Sequence, residues 1–116
     1  MSEREWKLYL KDVAKSIDRI IEYIQRITDR EDFFNDYRTY DAVMRNIGII
    51  GEAVKHIPTE IKEKYEDVHW KKIAGLRDIA IHEYFGIDKD IIWDVVKNKI
   101  PGLKLEIDAI IKDVFS

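Results

Sequence analysis

From Trp6 the apolar residues of this chain recur at Leu10, Val13, Ile17, Ile20, Ile24 and Ile27, in alternating steps of four and three. At 3.6 residues per turn that spacing lays one apolar stripe along one side of a helix, whereas a strand alternates its faces every two residues. A second stripe runs through Tyr37, Tyr40, Val43, Ile47, Ile50, Val54 and Ile57, and Pro58 must end that helix or follow it closely. Two long amphipathic helices can hide their stripes only against each other and against further helices.

The rest of the chain supplies those partners. Thr28 to Asp36 holds clustered charges and then Phe33 and Phe34 without periodic companions, which reads as a turn and a short packed lead-in. After a short amphipathic piece around Ile61 to Tyr65, a third main helix carries Trp70, Ile73, Leu76, Ile79 or Ala80 and Phe85, with Gly86 placed to end it. Asp88 resembles an N-cap for a helix with Ile91, Ile92, Val95 and Val96, and Pro101-Gly102 separates that helix from a last one containing Leu103, Ile107, Ile110 and Val114. Short connections favour antiparallel neighbours, so the expected fold is all-α, an antiparallel up-and-down bundle of four to five helices. At 116 residues, without repeat or linker, residues 1–116 are expected to form a single domain able to fold without staples.

Composition narrows the chemistry. There is no cysteine, which leaves no disulfide, thiol nucleophile or thiolate metal site, and only three histidines are present. The net charge of −3 rules out a highly basic nucleic-acid coat, so any attraction for nucleic acid must come from a local cluster. No apolar run approaches the roughly 18 residues of a membrane span, and the charged start MSEREWKLYL does not read as a secretion signal, so a cytoplasmic protein is expected. His56, His69 and His82, even with Asp78, sit on different predicted elements and form no compact ligand pattern, so no metal site and no cofactor is expected. His56 reads as a helix-end histidine beside Lys55, and His69 as the opening of the third helix.

Within the second helix Gly48 and Gly51 each cost about 1 kcal/mol relative to alanine, so something must offset the loss. Close helix contact is the simpler reason, and approach of a ligand is the other. The third helix carries the candidate chemistry, in GLRDIAIHEYFGID. Asp78 and His82 stand one turn apart on one face, Arg77 and Tyr84 two turns apart on an adjacent one, and Ile79 and Ile81 can anchor the helix between them. Guanidinium offers a planar fork that matches phosphate oxygens, and imidazole transfers protons near neutral pH. Asp78 bonded to one imidazole nitrogen would fix the tautomer and leave the other to act. RNA cleavage by its own 2′-hydroxyl needs a base, an acid and a stabiliser of the charged phosphorane, but no protein nucleophile and no metal. One chain supplies one such histidine; a symmetric dimer would bring two to a shared groove.

Plainer readings exist for each residue. An arginine five positions ahead of a histidine arises readily by chance. Arg77 could pair with a surface carboxylate, His82 could interact with a helix C-terminus, and Tyr84 could be a core-edge aromatic. Lys71, Lys72 and Arg45 could line an RNA path or simply form a solvated face. Tyr9, Tyr23, Tyr37, Tyr40 and Phe34 exceed the evident needs of one small core and could pack against a second subunit or fill the ends of the bundle.

The order of these features resembles the HepT family of toxins in the HEPN superfamily, whose pattern is R-x4-H-x-Y near the end of a helix. Here it is Arg77, His82 and Tyr84 in RDIAIHEY, accompanied by GIIGEA at residues 48–53, the tryptophan in HWKKIAGLRD, and the I-D and I-W-D-V-V stretch that follows. The resemblance spans residues 5 to 115. It implies a metal-independent endoribonuclease acting as a homodimer, with Arg77 and His82 lining a cleft across the interface. It also implies a minimal nucleotidyltransferase antitoxin that neutralises the toxin by adenylylating Tyr84. The family often has asparagine after the arginine; the carboxylate of Asp78 would repel RNA phosphate unless engaged with His82 or Arg77. A different class of function for the same features is a noncatalytic helical subunit that docks a nucleotidyltransferase and presents Tyr84 or a nucleotide to it.

Overall fold

The computed structural model describes residues 3–81 and 88–116, and among them every regular element is helical. Helix α1 (Glu3–Ile24) and helix α3 (Tyr37–Lys55) are the two striped segments. Leu10, Val13, Ile17 and Ile20 of the first stripe, and Val43, Ile47, Ile50 and Val54 of the second, are fully buried. The burial removes apolar area from water at roughly 25 cal/mol per Å², and that gain holds the two helices face to face. Tyr37, at the start of the second stripe, is the exception and is 74% exposed.

The lead-in between them is itself helical. In α2 (Arg30–Asn35), Asp29 caps the first turn by accepting from the Asp32 amide at 2.9 Å, and Phe33 is driven into the core. Phe33 lies at the centre of an aromatic cluster with Phe34, Tyr40 and Trp93, with ring centroids 5.0 to 5.7 Å away. Thus Phe34 and Tyr40 fill one end of the bundle. Asp36 caps α3, accepting from the Thr39 amide at 3.2 Å and from its hydroxyl at 2.8 Å.

Pro58 follows α3 and opens α4 (Thr59–Lys64), where its fixed φ costs nothing. Trp70 starts α5 (Trp70–Ala74) and donates its indole N–H to the Tyr65 carbonyl at 3.0 Å, tying α4 to α5. The expected third main helix comes as two pieces, α5 and α6 (Leu76–Ile81), interrupted at Gly75. Its anchoring also differs from expectation: Ile79 packs against the core, whereas Ile81 is 45% exposed.

The expected break at Pro101-Gly102 is absent. Helix α7 (Lys89–Asp94), capped by Asp88 through the Asp90 amide, passes into a π turn (Val95–Lys99) and then into α8 (Ile100–Val114) without interruption. Proline breaks an α-helix because it lacks an N–H and its ring strikes the carbonyl four residues back. Here the turn before it is widened, with the Ile100 amide donating to the Val95 carbonyl five residues back, so the proline falls in the first turn of α8, where it is tolerated.

The three main helix packings are antiparallel. Tyr9 near the start of α1 meets His56 at the end of α3, Gly51 and Gly48 of α3 face Arg77 and Ala80 of α6, and Asp18 and Lys11 of α1 meet Lys104 and Phe115 at and beyond α8. The architecture is therefore the expected all-α bundle, with α1 and α3 at its centre and α6 and α8 on their flanks.

Candidate active site

The placement of Arg77 begins with a missing side chain. A Cβ on Gly51 would overlap the Arg77 amide nitrogen and come within 2.8 Å of the Arg77 Cβ and 3.0 Å of the Ala74 carbonyl oxygen. Only glycine lets α3 and α6 approach this closely. Gly48, one turn earlier, is under less pressure, since a Cβ there would sit 3.5 Å from the Ala80 Cβ, an ordinary contact. Close helix packing thus accounts for Gly51, whereas the space at Gly48 would admit an alanine.

The residue after Gly51 uses that approach. Glu52 Oε2 lies 2.8 Å from Arg77 Nε, an ion pair in which both side chains are close to half exposed. Arg77 therefore has the carboxylate partner that the plainer reading anticipated. Its contact is made through Nε, while the two Nη groups form the forked end that fits a phosphate. The other oxygen of Glu52 lies 3.6 Å from His56 Nε2, and the His56 ring stacks on Tyr9, with centroids 4.5 Å apart and planes 12° from parallel. Tyr9, His56, Glu52 and Arg77 thus form a continuous array from α1 across α3 to α6. Of these, sequence reasoning singled out Arg77 for chemistry and took Glu52 only as a letter of the GIIGEA segment. The signal for it was the glycine before it, which marks where another helix comes near.

Asp78 is exposed and, among the described residues, its carboxylate has no recorded partner. His82 and Tyr84 lie outside the described residues, and so does the expected contact between Asp78 and His82. Arg45 is exposed on α3, seven residues and hence two turns before Glu52 on the same helix face. Lys71 and Lys72 are exposed on α5. Lys72 lines, with His69, a groove of about 410 Å³ between α5–α6 and α7–α8 whose floor includes Ile73, Leu76, Val95 and Leu103; neither Arg77 nor Arg45 lines it. His69 stands at the N-terminus of α5 and His56 at the C-terminus of α3, as expected. Among the described residues no group of three or more histidine and acidic side chains converges as metal ligands, and no helix is long and apolar enough to cross a membrane.

A family model described as Ribonuclease HepT-like matches residues 13–110. A Methanocaldococcus jannaschii protein named as a putative RNase is 43% identical over 98% of this chain and 93% of its own length. The protein named "Probable ribonuclease HepT" of Thermococcus cleftensis is 43% identical over 88% of this chain and 92% of its own. Another M. jannaschii protein, named as a gamma-glutamylcyclotransferase and putative RNase, is 45% identical over 96% of this chain, which spans only 50% of that longer relative. No solved structure matches the chain significantly.

Proposed function

Because the chain belongs to the HepT-like ribonuclease family, we propose that it is a metal-independent endoribonuclease and the toxin of a toxin–antitoxin pair. The observation that carries this reading is the setting of Arg77. It sits on α6 directly against α3, half exposed, with its guanidinium held at Nε by Glu52 and its forked end available to a phosphate.

The reaction follows from the side chains. The RNA 2′-hydroxyl attacks the adjacent phosphorus, the bond to the 5′ oxygen of the next nucleotide breaks, and the products are a 2′,3′-cyclic phosphate and a 5′-hydroxyl. One His82 imidazole takes the proton from the 2′-hydroxyl, a second delivers a proton to the departing oxygen, and Arg77 stabilises the charge on the phosphorane. Each chain has a single His82, so a homodimer brings two imidazoles and two guanidiniums to one cleft. Asp78, exposed one turn before His82 in the sequence, orients an imidazole; Lys71, Lys72 and Arg45 guide the RNA backbone.

The partner in this reading is a minimal nucleotidyltransferase that adenylylates Tyr84, adding a bulky anion two residues from the catalytic imidazole and repelling the substrate phosphate. Purified protein should cleave RNA in the presence of EDTA, and His82→Ala should not. Full cleavage by His82→Ala sinks the proposal. With the nucleotidyltransferase and ATP, an increase in intact mass that Tyr84→Phe abolishes supports the adenylylation step.

A further inference from the structure

A catalytic arginine must present its fork in one place, yet a guanidinium at the end of a long, half-exposed side chain samples many rotamers unless something holds it. Here the hold is specific. Glu52 comes nearest Arg77 at Nε, with Oε2 2.8 Å away, so the carboxylate lies along the Nε side of the guanidinium and leaves the end-on edge between the two Nη groups to a phosphate. The position of Glu52 is itself fixed, because its neighbour Gly51 sets the separation of α3 and α6, with the Arg77 backbone against the glycine. Its second oxygen faces His56 Nε2 at 3.6 Å, and that ring lies flat on Tyr9 from α1. Glu52 is thereby set between Arg77 of α6 and, through His56 of its own helix, Tyr9 of α1.

We propose that Glu52 is the positioning residue for Arg77, clamping Nε so that both Nη groups face the RNA phosphate. This rests on the reading of Arg77 as the phosphate-stabilising group. The alternative geometry, a carboxylate gripping both Nη groups and competing with phosphate, would make Glu52 an inhibitor of the site. The two roles predict opposite kinetics. Removing a positioning carboxylate slows turnover, and it also removes a negative charge beside the substrate phosphate, so RNA binding holds or tightens.

The test is steady-state cleavage of a defined RNA oligonucleotide by full-length Glu52→Ala, Glu52→Gln, Glu52→Asp and Arg77→Ala, with thermal melts of each. Glu52→Ala should lose roughly 10- to 100-fold in kcat with KM unchanged or lower, the scale of a misplacement of about an ångström. Glu52→Gln should recover most of that loss, because its amide oxygen still accepts from Nε. Glu52→Asp, whose reach is shorter, should fall in the same direction as alanine and decides the matter if the alanine variant does not fold. Wild-type or raised kcat in Glu52→Ala overturns the proposal, as does a glutamine variant as slow as alanine, or a rise in KM without a fall in kcat. If Glu52→Ala is fully active while Arg77→Ala is dead, the positioning role fails and the reading of Arg77 stands; if Arg77→Ala keeps full activity, both fall.

Discussion

Gly51 of α3 lies against the backbone of Arg77 on α6, so close that no Cβ fits between them. This contact brings the candidate guanidinium beside Glu52. It also separates two glycines that look alike in sequence.

Gly51→Ala should destabilise the protein by about 1–3 kcal/mol or more, because the added carbon meets backbone rather than a flexible side chain. Gly48→Ala should be neutral or stabilising by up to about 1 kcal/mol, since its Cβ makes an ordinary contact and alanine favours the helix. Chemical denaturation of the two variants checks this. Equal losses would contradict the close approach at Gly51.

Much of this fold was legible because burial writes itself into spacing. The stripes of α1 and α3 are long enough that single exceptions such as Tyr37 do not obscure them. Six-residue α2 has one buried aromatic, Phe33, and no period to detect, although Asp29 followed by Glu31 and Asp32 was a cap signal. The helix running past Pro101 was not legible, since a π turn is a backbone adjustment with no side-chain pattern of its own. Arg77 could be picked out by its neighbours in sequence. Glu52 could not, because its partner is 25 residues away and only the packing of α3 on α6 joins them.

Phe33 is fully buried among three other aromatic rings, whereas Tyr37, four residues on, is largely exposed. Phe33→Ala should cost about 3–5 kcal/mol in unfolding free energy. Tyr37→Ala should stay within about 0.5 kcal/mol. Comparable losses in urea titrations would show that Phe33 is not a core residue, or that Tyr37 is one.

The Tyr65 phenol donates to the Asp113 carboxylate, and this hydrogen bond, with some burial and the nearby negative charge, pushes its pKa up to about 12 from an ordinary value of 10.0. A group whose pKa is raised by folding contributes stability below its unfolded value and loses it as pH climbs through its folded value. The tie between Tyr65 and α8 should therefore be intact below pH 10 and be lost as pH climbs through about 12. Ultraviolet titration of phenolate absorbance should show a late-ionising tyrosine that Asp113→Asn returns toward the ordinary range. An unchanged titration curve in that variant would rule the hydrogen bond out as the cause.

The chemistry of the cleaved ends speaks most directly to the central claim, that Arg77 and His82 cleave RNA by activating its own 2′-hydroxyl. Mass spectrometry of a short oligonucleotide digested in EDTA by the wild-type protein should reveal 2′,3′-cyclic phosphate and 5′-hydroxyl ends, both missing from parallel digests with Arg77→Ala and with His82→Ala. Products bearing 3′-hydroxyl and 5′-phosphate ends, or cyclic phosphate formed as fast by either variant, would contradict it.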